Sequence, residues 1–210
     1  MKEKVDLNKF AGNTAYIGVD LSSVSDTTSL AVMIPYEDKF YFKGWIWLPR
    51  DTFVKSPSHT IYQEFVNSGD LIITEGNIVD YQVITNKIAE LSLLFNVEGV
   101  YYDRYNSSQF AIQCTELGYP MKPFSQGLQS FNNPTKEFER LVLNRNAVID
   151  KSLMAIWQFN NCHIRSDHAN NVKPEKSGEN KKIDVVISML EALGGYLLNP
   201  SLTDCQIYVL

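Results

Sequence analysis

Three aspartates carry most of the chemistry available to this sequence. Asp20 closes the apolar run Tyr16-Ile17-Gly18-Val19, Asp103 closes a second run that starts at Val97, and Asp184 opens the last long apolar segment. A short apolar run ending in a carboxylate reads as a strand covered on both faces. If the two strands are parallel neighbours, they lie about 4.8 Å apart and both carboxylates emerge at the same end of the sheet. A helix start packed over that edge adds the third. Carboxylates gathered this closely raise one another's pKa and call for a compensating cation. Mg²⁺ or Mn²⁺ meets that need with hard oxygen ligands and open coordination positions. Two such ions about 3.5–4 Å apart activate a water and stabilise the leaving oxygen of a phosphodiester. Each acid alone also has ordinary uses. Asp20 suits a turn, Asp103 can pair with Arg104 or a backbone amide, and Asp184 complements a helix macrodipole without any metal. The ordered set of strand, strand and helix acids therefore says more than any member.

The elements that must position these acids can be read from periodicity. A polar turn after Asp20 leads to an apolar run at 28–34, stopped at Pro35, and then to the aromatic-rich run 39–47. Three strands joined by short turns predict an antiparallel meander. Helical spacing follows at 60–68 and 81–95, where Ile84, Ile88, Leu91 and Phe95 share a stripe. After the strand at 97–103, a helix is expected at 107–117, ended by Gly118, and a short strand at 121–124. Asn133-Pro134 has the form of a helix opening, residues 151–159 read as helix, and 162–166 as a short strand. The stretch 167–182 lacks periodicity and is expected to be a mobile surface loop, before a last helix over 183–198. The expected fold class is α/β, in one domain over 15–200, with 1–14 as a lead-in or linker remnant and 201–210 as a tail.

Composition excludes several function classes. The 210 residues are 44% hydrophobic, enough for a substantial core and against disorder. A formal charge of −5 disfavours a protein that coats nucleic acid by bulk charge. Three scattered cysteines, Cys114, Cys162 and Cys205, fit neither a disulfide framework nor a four-cysteine zinc site, and point to a reducing compartment. No apolar stretch approaches the roughly 20 residues that span a bilayer.

Positive charge is local instead. Lys173, Lys176, Lys181 and Lys182 precede Asp184, against Glu175 and Glu179 in the same stretch, so this segment can face a phosphate backbone. Such contact is salt-sensitive and largely blind to sequence. Lys136, Arg140, Arg145 and Lys151 form a second basic group, nearly balanced by Glu137, Glu139 and Asp150, and read as solvated surface. Cys162, His163, Asp167 and His168 lack the spacing of a closed zinc site. Trp45 and Trp47 share one strand face and suit packing better than base stacking.

The segments Tyr16-Ile17-Gly18-Val19-Asp20-Leu21-Ser22-Ser23, Val100-Tyr101-Tyr102-Asp103-Arg104-Tyr105 and Lys181-Lys182-Ile183-Asp184-Val185 resemble the nuclease domain of the large subunit of tailed-phage DNA-packaging terminases. The resemblance runs from about Tyr16 to Pro200. It implies a ribonuclease H-like mixed sheet, an antiparallel three-strand meander plus parallel strands, flanked by helices. It further implies an endonuclease that cuts concatemeric double-stranded DNA with two Mg²⁺ or Mn²⁺ ions held by Asp20, Asp103 and Asp184. Asp26, six residues after Asp20, occupies the place of an auxiliary ligand. The implied partners are the packaging ATPase domain of the full-length subunit, the small terminase subunit and the portal. The implied location is the infected host's cytoplasm, transiently at the procapsid portal, with no membrane role. No G-x-x-x-x-G-K-[ST] loop occurs, so the chain is expected to be the cutting domain detached from its motor.

Two other readings stay open at this point. Ile17-Gly18-Val19-Asp20 followed by Ser and Thr is also similar to the first phosphate loop of actin-like and sugar-kinase ATPases, although Leu21-Ser22-Ser23 stands where glycine and threonine are usual. A catalytically inactive docking module is the other.

Overall fold

The computed structural model describes residues 4–22, 26–105, 107–179 and 181–199. Strand β1, Thr14–Asp20, is buried from Ala15 to Val19, as a strand covered on both faces requires. Antiparallel to it runs β2, Thr28–Tyr36, and antiparallel to β2 runs β3, Lys39–Pro49, completing the expected meander. The polypeptide then makes α1, Arg50–Lys55, α2, His59–Asn67, and a short strand β4, Ile72–Thr74, parallel to β3. Helix α3, Tyr81–Leu94, leads into β5, Asn96–Tyr102, which returns to lie parallel beside β1. Helix α4, Ser108–Glu116, and β6, Met121–Pro123, follow. The sheet order is β4-β3-β2-β1-β5-β6, and β7, Ala147–Ile149, pairs with β3. This is the mixed sheet that the resemblance implies.

Helices cover both faces. On one, α5, Leu128–Leu143, α6, Leu153–Asn160, and α7, Asp184–Leu198, bury Tyr16, Met33, Phe42 and Tyr101. On the other, α3 and α4 bury Ile17, Val32, Trp47 and Val100. Trp45 packs with Trp47 on that second face, as their alternation predicts. Val5 and Phe10, inside the stretch read as a lead-in, are also buried there.

Helix α7 is the central helix, buried from Asp184 to Gly195. It lies directly on β1 because Gly18 has no side chain: a Cβ there would stand 1.9 Å from the Ser188 carbonyl oxygen. Gly195 likewise admits the Tyr101 ring, 2.1 Å from where its Cβ would be. Thus Gly18 and Gly195 serve close packing of α7 on the sheet.

Two local expectations fail. Pro134 lies inside α5, not at its opening. Phe131, Pro134 and Leu141 are all buried, so tertiary packing starts the helix at Leu128, upstream of the Asn-Pro signal. The stretch 167–182, read as a mobile loop, is partly ordered: the expected short strand, β8, Cys162–Ser166, forms an antiparallel hairpin with β9, Val172–Lys176, inside that stretch. Its turn is closed by Asp167, which accepts from the Ala169 and Asn171 amides, and Lys136 of α5 ties to the Asn170 carbonyl at 3.0 Å. Asp167 therefore builds a turn, and His163 lies 3.8 Å from Glu175 on the hairpin surface.

Candidate active site

The parallel register sets the first two acids. Val19 pairs with Tyr102, so Asp20 and Asp103 are the next residues along neighbouring strands. Asp184 is the first residue of α7, whose packing on Gly18 holds its start beside the end of β1. Gln158, fully buried on α6, fixes that start: its Oε1 accepts from the Val185 amide at 2.8 Å. The loop after Asp20 is closed by Ser22, whose amide donates to Thr28 Oγ1 at 3.1 Å and whose hydroxyl donates to the Asp26 carbonyl at 3.1 Å.

Asp20, Asp26 and Asp184 line one cleft of about 360 Å³ together with Thr27, Gln126, Lys173 and Lys176. Asp26 and Lys182 also line an adjoining cleft of about 490 Å³, with Lys55, Ser58 and Tyr62. Asp103 lines neither cleft, and its Oδ1 accepts from the Tyr105 amide at 3.3 Å. Of the four lysines singled out, Lys182 pairs with Asp26 Oδ1, and Lys176 lies 3.9 Å from Asp26 Oδ2. Lys173 lies 4.0 Å from Glu175. Lys181 is exposed and lines neither cleft. In the second basic group, Arg140 is held by Glu137, in keeping with solvated surface.

The acids strain against one another electrostatically. Burial, then the charge of Asp184, pushes Asp20 up to about 8, although the Gln126 amide opposes the rise. Asp184 is raised by burial and by Asp26, against the Thr27 hydroxyl that donates to its Oδ2. Burial and the Asp26 and Asp184 charges push Tyr62 up to about 12. Sequence reasoning missed Glu191, which is fully buried and raised well above its usual range by burial and by Asp20. A signal existed, since Glu191 is the one charged residue between Val185 and Asn199. Gln126, in a short loop without periodicity, had none. Its Nε2 donates to Asp20 Oδ1 at 3.2 Å and to Glu191 Oε1 at 3.1 Å.

Do these residues fit a divalent cation? Among the described residues, no three acidic, histidine or cysteine side chains are drawn together closely enough to hold an ion in this arrangement. Nitrogen and hydroxyl donors occupy the acids instead, Lys182 on Asp26, Thr27 on Asp184 and Gln126 on Asp20. The donor set is nevertheless all hard oxygen, and the raised pKa values of Asp20 and Asp184 mark negative charge that the protein leaves undercompensated. The chemistry fits Mg²⁺ or Mn²⁺.

Comparison with known proteins identifies the family and the fold. The family model described as terminase large subunit, endonuclease domain, matches residues 2–199. The large terminase subunit of Enterobacteria phage HK97 is 27% identical over 184 residues, covering 85% of this chain and 36% of that protein. The large subunit of Lactococcus phage p2 is 23% identical over 209 residues, again covering 36% of the relative. The chain thus spans about a third of the length of these relatives. The crystal structure of the HK97 large terminase superposes with a TM-score of 0.81 at 25% identity, over 92% of this chain and 41% of that one. The large terminase nuclease of thermophilic phage G20c shares the fold, with a TM-score of 0.59 at 12% identity over 85% and 80% of the two chains. With the family model matched over nearly all its length, the chain belongs to the endonuclease-domain family of terminase large subunits.

Proposed function

We propose that this chain is a divalent-metal-dependent endodeoxyribonuclease that cuts concatemeric viral DNA during packaging. The observation that carries the reading is the meeting of Asp20, Asp26 and Asp184 on one cleft whose rim is lysine-rich. Solved terminase nuclease structures from phage G20c, described with bound magnesium and with bound cobalt, share this fold. Asp20, Asp103 and Asp184 would hold the metal, with Asp26 as auxiliary ligand. Two Mg²⁺ or Mn²⁺ ions bound there would supply activation of the attacking water and neutralisation of the departing 3′ oxygen. The chain's own groups do the rest. Lys182 and Lys176, which now face Asp26, would meet phosphate at the cleft mouth, and Lys173 and Lys181 would extend that positive edge. These contacts touch backbone rather than base edges, so the cut is largely sequence-independent at this domain.

In the reading we favour, the packaging ATPase domain of a longer subunit, the small terminase subunit and the portal bring the DNA. The work takes place in the cytoplasm of the infected host and transiently at the procapsid portal. No helix among the described residues is long and apolar enough to cross a membrane. The comparisons favour neither the ATPase nor the docking alternative. The test is Mn²⁺-dependent nicking of supercoiled plasmid by Asp20→Asn and Asp103→Asn, each checked for folding by circular dichroism. Loss of at least about 100-fold in rate is expected for both. Undiminished cutting by both variants defeats the proposal.

A further inference from the structure

One carboxylate in this region has no place in the function proposed above. Asp184, Ser188 and Glu191 stand at i, i+4 and i+7 of α7, on one face and about 10.5 Å from end to end. That face lies on β1, where the Ser188 carbonyl meets Gly18. Glu191 is wholly inaccessible to solvent, with the Gln126 side-chain amide and the Val19 backbone amide directed at its carboxylate, yet no donor comes within 3.5 Å of its Oε2. Its electrostatic neighbours include two further acids, Asp20 and Asp103. No lysine or arginine forms an ion pair with it among the described residues. A buried carboxylate oxygen without a donor, facing two carboxylates, is costly for stability. A glutamine or leucine in its place packs the helix at lower cost, so packing alone does not account for it.

The geometry points to Glu191 as a ligand for a divalent cation on the Asp103 side of Asp20, with Gln126 as its positioning residue. This rests on the reading of the acids as metal-binding and adds a residue to it. Asp20 then lies between two carboxylate groups, Asp103 and Glu191 on one side and Asp26 and Asp184 on the other. Gln126 is half-buried at the cleft lip, and its single amide nitrogen fixes one oxygen of Asp20 and one of Glu191. Glu191 Oε2 is left as the free donor atom.

The experiment is Mn²⁺ titration of the 210-residue chain by calorimetry, paired with thermal melts. Glu191→Gln keeps size and removes charge, so its metal-free melting temperature is expected to equal or exceed the native value, while its Mn²⁺ Kd rises about tenfold or more. Combining Glu191→Gln with Asp103→Asn is expected to cost no more than the larger single loss, because the two share one ion, whereas Glu191→Gln and Asp184→Asn add. Should Glu191→Gln not fold, Glu191→Asp asks the same question by withdrawing the oxygen one methylene, with weakened Mn²⁺ binding expected. A Mn²⁺ titration of Glu191→Gln, or of Glu191→Asp in its stead, that matches the native one overturns the assignment. If Asp184→Asn still loses Mn²⁺ in that case, the parent reading stands. Absence of any Mn²⁺ binding by the native chain overturns both.

Discussion

Lys182 places its ammonium on Asp26 Oδ1, with Lys176 3.9 Å from the other oxygen of the same carboxylate. A positive charge thus sits on a carboxylate that the proposed function assigns to metal. Lys182→Ala is expected to free Asp26 and tighten Mn²⁺ binding by about 0.2–1 kcal/mol, up to about fivefold in Kd, the range of part-exposed ion pairs. The same variant is expected to bind duplex DNA more weakly, with its salt dependence shallower by about one phosphate contact. Calorimetry with Mn²⁺ and fluorescence anisotropy across a salt series check the two effects; an unchanged salt slope removes Lys182 from the DNA-facing surface.

The raised acids make a pH prediction with a definite sign. Asp20 moves from an ordinary 3.8 to about 8 on folding, and Asp184 and Glu191 move the same way. Between those values the folded chain holds more protons than the unfolded one, so metal-free stability is present at low pH and falls as pH rises through about 8. Mn²⁺ competes with those protons. The melting temperature without metal is therefore expected to decline from pH 5 to about pH 8, and the increment added by Mn²⁺ to grow over the same interval. Calorimetric melts at several pH values, with and without Mn²⁺, measure both trends.

What could be read in advance follows physical lines. Asp20 and Asp103 were legible because an apolar run ending in a carboxylate is a local pattern, and their adjacency needed only the parallel register that pairs Val19 with Tyr102. Asp184 was legible as a helix start. Gln126 was not, because its role arises where the β6–α5 connection meets α7, a tertiary coincidence without local periodicity. Strand β8 was legible at 162–166, but its partner β9 read as loop because Val172–Lys176 holds Pro174 and three charges, and a two-stranded surface ribbon buries too little to leave an apolar signature. Pro134 misled because Asn-Pro is a sound helix-opening signal that the burial of Phe131 overrode.

Gly18 is the contact on which the site's geometry turns. Gly18→Ala puts a methyl group 1.9 Å from the Ser188 carbonyl oxygen and 2.8 Å from the Ala192 nitrogen, both backbone atoms of α7. Neither can rotate away, so the helix must lift. A loss of about 1–3 kcal/mol or more is expected in urea denaturation, together with a lower Mn²⁺-dependent nicking rate per folded molecule, since α7 carries Asp184. Gly178→Ala, whose methyl meets only Lys181 Cγ at 3.6 Å, serves as the control and is expected to stay within about 0.5 kcal/mol.

Gln158 supplies from another helix what an N-cap side chain normally supplies from within. Ile183, at the cap position of α7, offers no side-chain acceptor, and the Val185 amide is satisfied by Gln158 Oε1 at 2.8 Å. Gln158→Leu fills the same space but leaves that buried amide without a partner, a cost of about 1–3 kcal/mol. Because Asp184 precedes Val185, the first turn that carries it is expected to loosen, so nicking slows more than the loss of folded protein explains. Urea melts alongside initial rates at saturating Mn²⁺ separate the two contributions. A Gln158→Leu variant as stable and as active as the native chain shows that α7 is held by its apolar packing alone, and that the start of the helix owes nothing to α6.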